Sequence, residues 1–218
     1  MDYADAYERA YQRIRPLLSE EVADVEVPTC PGWTVKDVVA HNAGFFTAYK
    51  SGNPKEAFGP GWGDREVEAR RDRSLEEDIT EWSDLLADPG DLFESHLAAV
   101  AVSDVLAHEQ DIRTAINQPG GEDDENIVPS VEMGLAWLEK KAESEGLPAI
   151  RFVTEDIDRT VGQGKPAATL KTSTLELFRT IHGRRTVDQV RAMPWEGDPE
   201  RWLPALFLFG PAEQPVEG

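Results

Sequence analysis

Cysteine is nearly absent: Cys30 is the one thiol in 218 residues, which excludes an intrachain disulfide and fits a reducing compartment. Basic residues are scarce as well, 22 Lys and Arg against 42 Asp and Glu, for a net charge of -20. A surface this anionic repels nucleic-acid phosphates and anionic lipid headgroups, so neither is an expected partner. No apolar stretch approaches the ~20 residues of a membrane span. The first residues, MDYADAYERAYQRIR, are acidic and amphipathic rather than a basic segment leading into an apolar run. The expectation is a soluble, cytoplasmic protein. Hydrophobic residues at 40% and charged residues at 29% are ordinary for a folded chain, and the length suffices for one large domain or two modest ones.

Apolar residues recur mostly at helical spacing. Tyr7, Tyr11, Ile14 and Leu18 predict a helix over about 5–18, with Pro16 interrupting its end. The run Val27-Pro-Thr-Cys-Pro-Gly-Trp33 forbids a helix, and Thr34 with Asp37 then reads as a capping box opening a helix to about residue 49. Residues 51–63, rich in Gly and Pro and carrying Phe58 and Trp62, read as a loop and potential lid. Ser74 and Glu77 cap a third helix, a long fourth is expected over about 92–117, and another over about 129–145. Short connections between these elements point to an up-and-down bundle spanning 1–146. After Gly146 the character changes. Residues 149–153 and 167–171 read as strands, followed by a helix ending at Gly183. A small α/β domain over 147–218 is expected, its apolar end (202–209) docked on the core.

The fourth helix holds the chemical clue. At ~100° per residue, Leu97, Ala101, Asp104, His108, Asp111 and Ala115 fall within about 40° of one line, so two acids and a histidine lie on a core-facing stripe. A buried carboxylate requires a partner or a metal. Asp104 and His108, four apart, project side by side, and His41 shares the apolar face of the second helix with Val38 and Phe45. Two histidines and a carboxylate suit a divalent metal with open positions. The same spacing also suits a buried ion pair, with His41 a hydrogen-bonded core residue. Asp111 is placed to orient His108 from the next turn, or to face solvent. His96 lies about 100° off the stripe, His182 reads as a capping or surface residue, and Cys30, between prolines, as structural. Arg184 and Arg185 read either as a solvated pair or as a clamp for an anionic substrate.

Three segments resemble one known family. Val27-Pro-Thr-Cys-Pro-Gly-Trp-Thr-Val-Lys-Asp-Val-Val-Ala-His41 is similar to the N-terminal signature of the mycothiol-dependent maleylpyruvate isomerase family, within the DinB-like metalloenzymes. Asp104-Val-Leu-Ala-His-Glu-Gln-Asp111 resembles its second signature, and Leu177-Phe-Arg-Thr-Ile-His-Gly-Arg-Arg185 its C-terminal element. The resemblance implies a mainly α fold, a DinB-like up-and-down bundle followed by a small α/β domain. It also implies a metal, usually zinc, on His41, Asp104 and His108, with Arg184 facing the site. Relatives often carry Glu where this chain has Asp104. The implied cosubstrate is mycothiol, bound to the metal as a thiolate that attacks a small electrophile in a transferase or isomerase reaction. Metal-dependent hydrolysis and a non-catalytic, metal-stabilised binding protein remain the alternatives.

Overall fold

A computed structural model describes residues 2–52 and 61–216; Phe58 of the expected loop lies outside them. The chain folds as two compact units, Met1–Gly121 and Glu122–Gly218.

In the first unit, α1 (Tyr3–Ile14) starts where the Asp2 side chain accepts from the Asp5 N–H, and it buries Ala6, Tyr7, Ala10, Tyr11 and Ile14. Pro16 converts the continuation to a 3-10 turn, Arg15–Leu17. The Pro-Gly connection is a tight backbone structure: Val27 N–H donates to Trp33, Cys30 N–H to Val27, and Trp33 N–H to Cys30, at 2.9–3.0 Å. Helix α2 (Val35–Lys50) begins on the expected Thr34/Asp37 capping box. The loop expected over 51–63 ends earlier than the composition implies, because Trp62 opens a helix, α3 (Trp62–Ala69). Helix α4 (Leu75–Ala87) starts on the Ser74/Glu77 capping box.

The long fourth helix is shorter than expected. Leu92–Glu94 is a separate 3-10 turn, and α5 runs from Ala98 to Ala115. Ser95 explains the break: its hydroxyl donates to the Leu92 carbonyl at 2.7 Å and accepts from the Leu97 N–H at 3.1 Å, side-chain bonds that compete with helical ones. Helix α2 packs on α3, α4 and α5, and α1 packs on α5. At their centre Trp82 Nε1 donates to the Tyr7 hydroxyl at 3.1 Å, and Tyr7 stands edge-on to Phe46 at 5.2 Å.

The second unit contains α6 (Ile127–Glu145), four short strands, and helices α7 (Thr174–Ile181) and α8 (Val187–Arg191). Strands β1 (Ile150–Val153), β2 (Asp158–Val161), β3 (Ala168–Lys171) and β4 (Trp195–Gly197) form one sheet in the order β2-β1-β3-β4. β1 pairs with β3 in parallel and with β2 antiparallel. Helix α6 falls in this second unit, where it packs on α7 and β2. Gly134 makes that approach possible: a Cβ there would stand 2.6 Å from the Ile181 side chain. The apolar end docks through Trp202, Leu203, Leu206 and Phe207, with Trp202 Nε1 donating to the Pro148 carbonyl at 2.7 Å, whereas Phe209 of the expected docking stretch is exposed. Among the described residues no helix is long and apolar enough to cross a membrane.

Candidate metal centre

Helical phase on α5 turns Asp104, His108 and Asp111 toward α2, and α2 turns His41 toward α5. His41 Nε2 stands 3.4 Å from Asp104 Oδ2, and His108 Nε2 stands 3.7 Å from Asp104 Oδ1. One donor atom from each of the three side chains lies within 4.8 Å of the others. Both contacts are longer than the about 2.7–3.2 Å of an N–H···O bond. They approach the ~3.3 Å that separates two donors bound to one tetrahedral ion at about 2.0–2.1 Å. Donor types and spacing therefore fit a divalent cation. The imidazoles are buried, whereas the Asp104 side chain is 25% exposed, so solvent reaches the set at the carboxylate.

Aromatic rings wall the imidazoles. Trp33 and Trp62 each lie 5.1 Å from His41, and His41 lies edge-on to His108 at 4.9 Å. Gly63, one residue into α3, lets that helix close on the site: a Cβ there would meet the Trp33 ring at 2.8 Å. The sequence names both tryptophans but carries no signal that they enclose His41, since that depends on α3.

Asp111 lies inside the unit and does orient His108, accepting from Nδ1 at 2.9 Å. Its Oδ2 also receives the Cys30 thiol at 3.5 Å, a contact that the reading of Cys30 as structural misses. Burial pushes the His108 imidazole down, but the charge of Asp104 and the bonds to Asp111 and Cys30 outweigh it. Without metal His108 is raised to about 10. The neighbouring buried acid on α5, Glu109, is committed elsewhere, to Arg13 and Arg113.

The remaining candidates separate. His96 is exposed, ahead of α5. His182 caps α7 as expected, yet it is buried rather than at the surface, its ring 4.1 Å from Phe178 and its Nδ1 2.9 Å from the Phe178 carbonyl. Arg185 is buried and grips Glu176 through Nε and Nη2, at 2.5 and 2.8 Å. Arg184 is half-buried in the second unit and donates to the His182 carbonyl.

Fold and donor set together define a class: a DinB-like helical bundle presenting two histidines and an aspartate, followed by a small α/β unit. Residues 4–88 match the family described as mycothiol maleylpyruvate isomerase N-terminal domain. Two solved structures share the fold. One, of a histidine-to-alanine mutant of the mycothiol-dependent maleylpyruvate isomerase, has a TM-score of 0.58 at 16% identity, covering 84% of this chain and 88% of that one. The other, of the mycothiol-dependent maleylpyruvate isomerase itself, has a TM-score of 0.53 at 15% identity over the same shares. No curated protein matches in sequence. Residues 4–88 are thus similar to that family's N-terminal domain, and the chain as a whole shares the fold of the two solved structures. The sequence match contains His41 and stops before α5, so Asp104 and His108 rest on geometry.

Proposed function

We propose that this protein is a metal-dependent enzyme that uses mycothiol to act on a small electrophile, as an isomerase or S-transferase. The observation that carries the reading is the convergence of His41, Asp104 and His108 in a unit whose residues 4–88 match that family's N-terminal domain. A divalent ion, zinc foremost, supplies a Lewis-acid position at which a thiol loses its proton near neutral pH.

The chain's own residues do the rest. His41 and His108 offer nitrogen donors from facing helices, and Asp104 offsets one positive charge. Asp111 fixes the His108 ring by holding its Nδ1–H. Trp33 and Trp62 exclude water from the imidazoles and leave the Asp104 side as the way in. The reactive sulfur comes from the cosubstrate, since Cys30 is already engaged with Asp111. Arg184 is proposed to contact the substrate's anionic group.

The test is turnover of maleylpyruvate and other small electrophiles by metal-loaded protein, with and without mycothiol. Loss of electrophile that requires both metal and thiol supports the reading. Thiol-independent cleavage of esters or amides replaces it with hydrolysis, and metal uptake without turnover under any thiol replaces it with binding.

A further inference from the structure

We propose that Cys30 is a positioning residue for the metal ligand His108, acting through Asp111; this rests on the His41–Asp104–His108 centre proposed above. Asp111 Oδ2 receives two donors, His108 Nδ1–H at 2.9 Å and the Cys30 thiol at 3.5 Å. The carboxylate is buried, and a buried carboxylate oxygen is held by the donors that converge on it. Removing the thiol removes one of the donors that fix the carboxyl plane, and the His108 ring bonded to that carboxylate is then set less tightly.

The sulfur is aimed by backbone. Cys30 N–H donates to Val27 and its carbonyl accepts from the Trp33 N–H, at 2.9 and 3.0 Å, so both main-chain groups of Cys30 are used within one turn. The same turn carries Trp33, whose ring lies 5.1 Å from His41 and 6.4 Å from His108. One rigid turn thereby sets a wall of the site and, through Asp111, the direction of a ligand. Motif residues with no direct part in metal binding gain a function: they hold the thiol on Asp111.

Cys30, His108 and Asp111 also place one donor atom each within 4.8 Å of one another, which makes direct metal ligation by the thiol the competing reading. Cobalt substitution separates the two, because a cysteine ligand gives an intense thiolate-to-cobalt absorption and a positioning thiol does not.

Metal affinity is measured by competition with a chromophoric chelator for wild type, Cys30→Ala, Cys30→Val, Cys30→Ser, Asp111→Ala and Cys30→Ala/Asp111→Ala. Cys30→Ala and the near-isosteric Cys30→Val are expected to weaken zinc ~5–10-fold, Cys30→Ser to stay within about twofold of wild type, and Asp111→Ala to lose ~10–100-fold. The double variant should match Asp111→Ala within about twofold, since Cys30 has nothing left to act on. Wild-type affinity in Cys30→Val, a loss that adds fully onto Asp111→Ala, or a thiolate-to-cobalt band in the wild type overturns the proposal. Should Cys30→Ala fail to fold, the Val/Ser pair decides. A wild type that takes up no metal overturns the centre itself, whereas tight wild-type binding unaffected by Cys30→Val removes only the role of Cys30.

Discussion

A proton and a metal ion compete for His108. In the metal-free protein its pKa is raised above the unfolded value, so this histidine stabilises the fold fully below pH ~6.5, a contribution lost as pH climbs through about 10. Metal binding must release that proton. Apparent zinc affinity should therefore rise about tenfold per pH unit between pH 7 and 9, measured by chelator competition at each pH; an affinity flat over that range contradicts the charge state. Asp104 is the anionic member of the set. Asp104→Asn should weaken zinc binding by at least ~10-fold, while Asp104→Glu should bind within a few-fold of wild type, the extra methylene being absorbed on the solvent-exposed side. The stripe on α5 is legible in sequence because helical phase alone brings Asp104, His108 and Asp111 together. The Cys30–Asp111 contact is not, because 81 residues separate the two and only the folded turn aims the sulfur.

Helix α4 shows how two carboxylates one turn apart acquire opposite character. Burial raises both, but Glu81 meets Arg70, Thr47 and Arg73 and ends at about 2, whereas Asp78 keeps a weaker share of positive charge and ends at about 6. For Asp78 the folded pKa is above the unfolded one, so its contribution to stability is present at acid pH and lost as pH rises through about 6. Asp78→Asn should accordingly stabilise the protein by about 1–2 kcal/mol at pH 7.5, less than the full shift because Arg73 loses a partner at 3.1 Å. At pH 3, below the unfolded value, the gain should vanish; thermal melts at the two pH values check it. Capped helices such as α2 and α4 are legible because Thr34/Asp37 and Ser74/Glu77 announce them. Helix α3 is not, since Gly61 and Gly63 flank Trp62 and read as loop, and the break before α5 depends on a hydroxyl that the apolar pattern does not register.

At the scale of the molecule, the succession from helices to an α/β segment is readable from the change in periodicity near Gly146. The packing of α6 on α7 and β2 is not, because no local signal announces the close approach of Gly134 to Ile181. Arg184 belongs to the second unit, and Arg184→Ala should lower kcat/KM for an anionic electrophile ~30-fold, the loss of about 2 kcal/mol for one charge-assisted contact. Metal content should not change. Arg191→Ala, which breaks exposed pairs with Asp188 and Glu200, is the matched control; His182 is too well buried to serve. Equal kinetics for Arg184→Ala and wild type would remove Arg184 from the substrate site. The central claim is the metal on His41, Asp104 and His108, and elemental analysis of purified wild type, His41→Ala and His108→Ala tests it most directly. About one divalent ion per wild-type chain, lost in both variants while their folds are retained, is the predicted result; full occupancy in either histidine variant contradicts it.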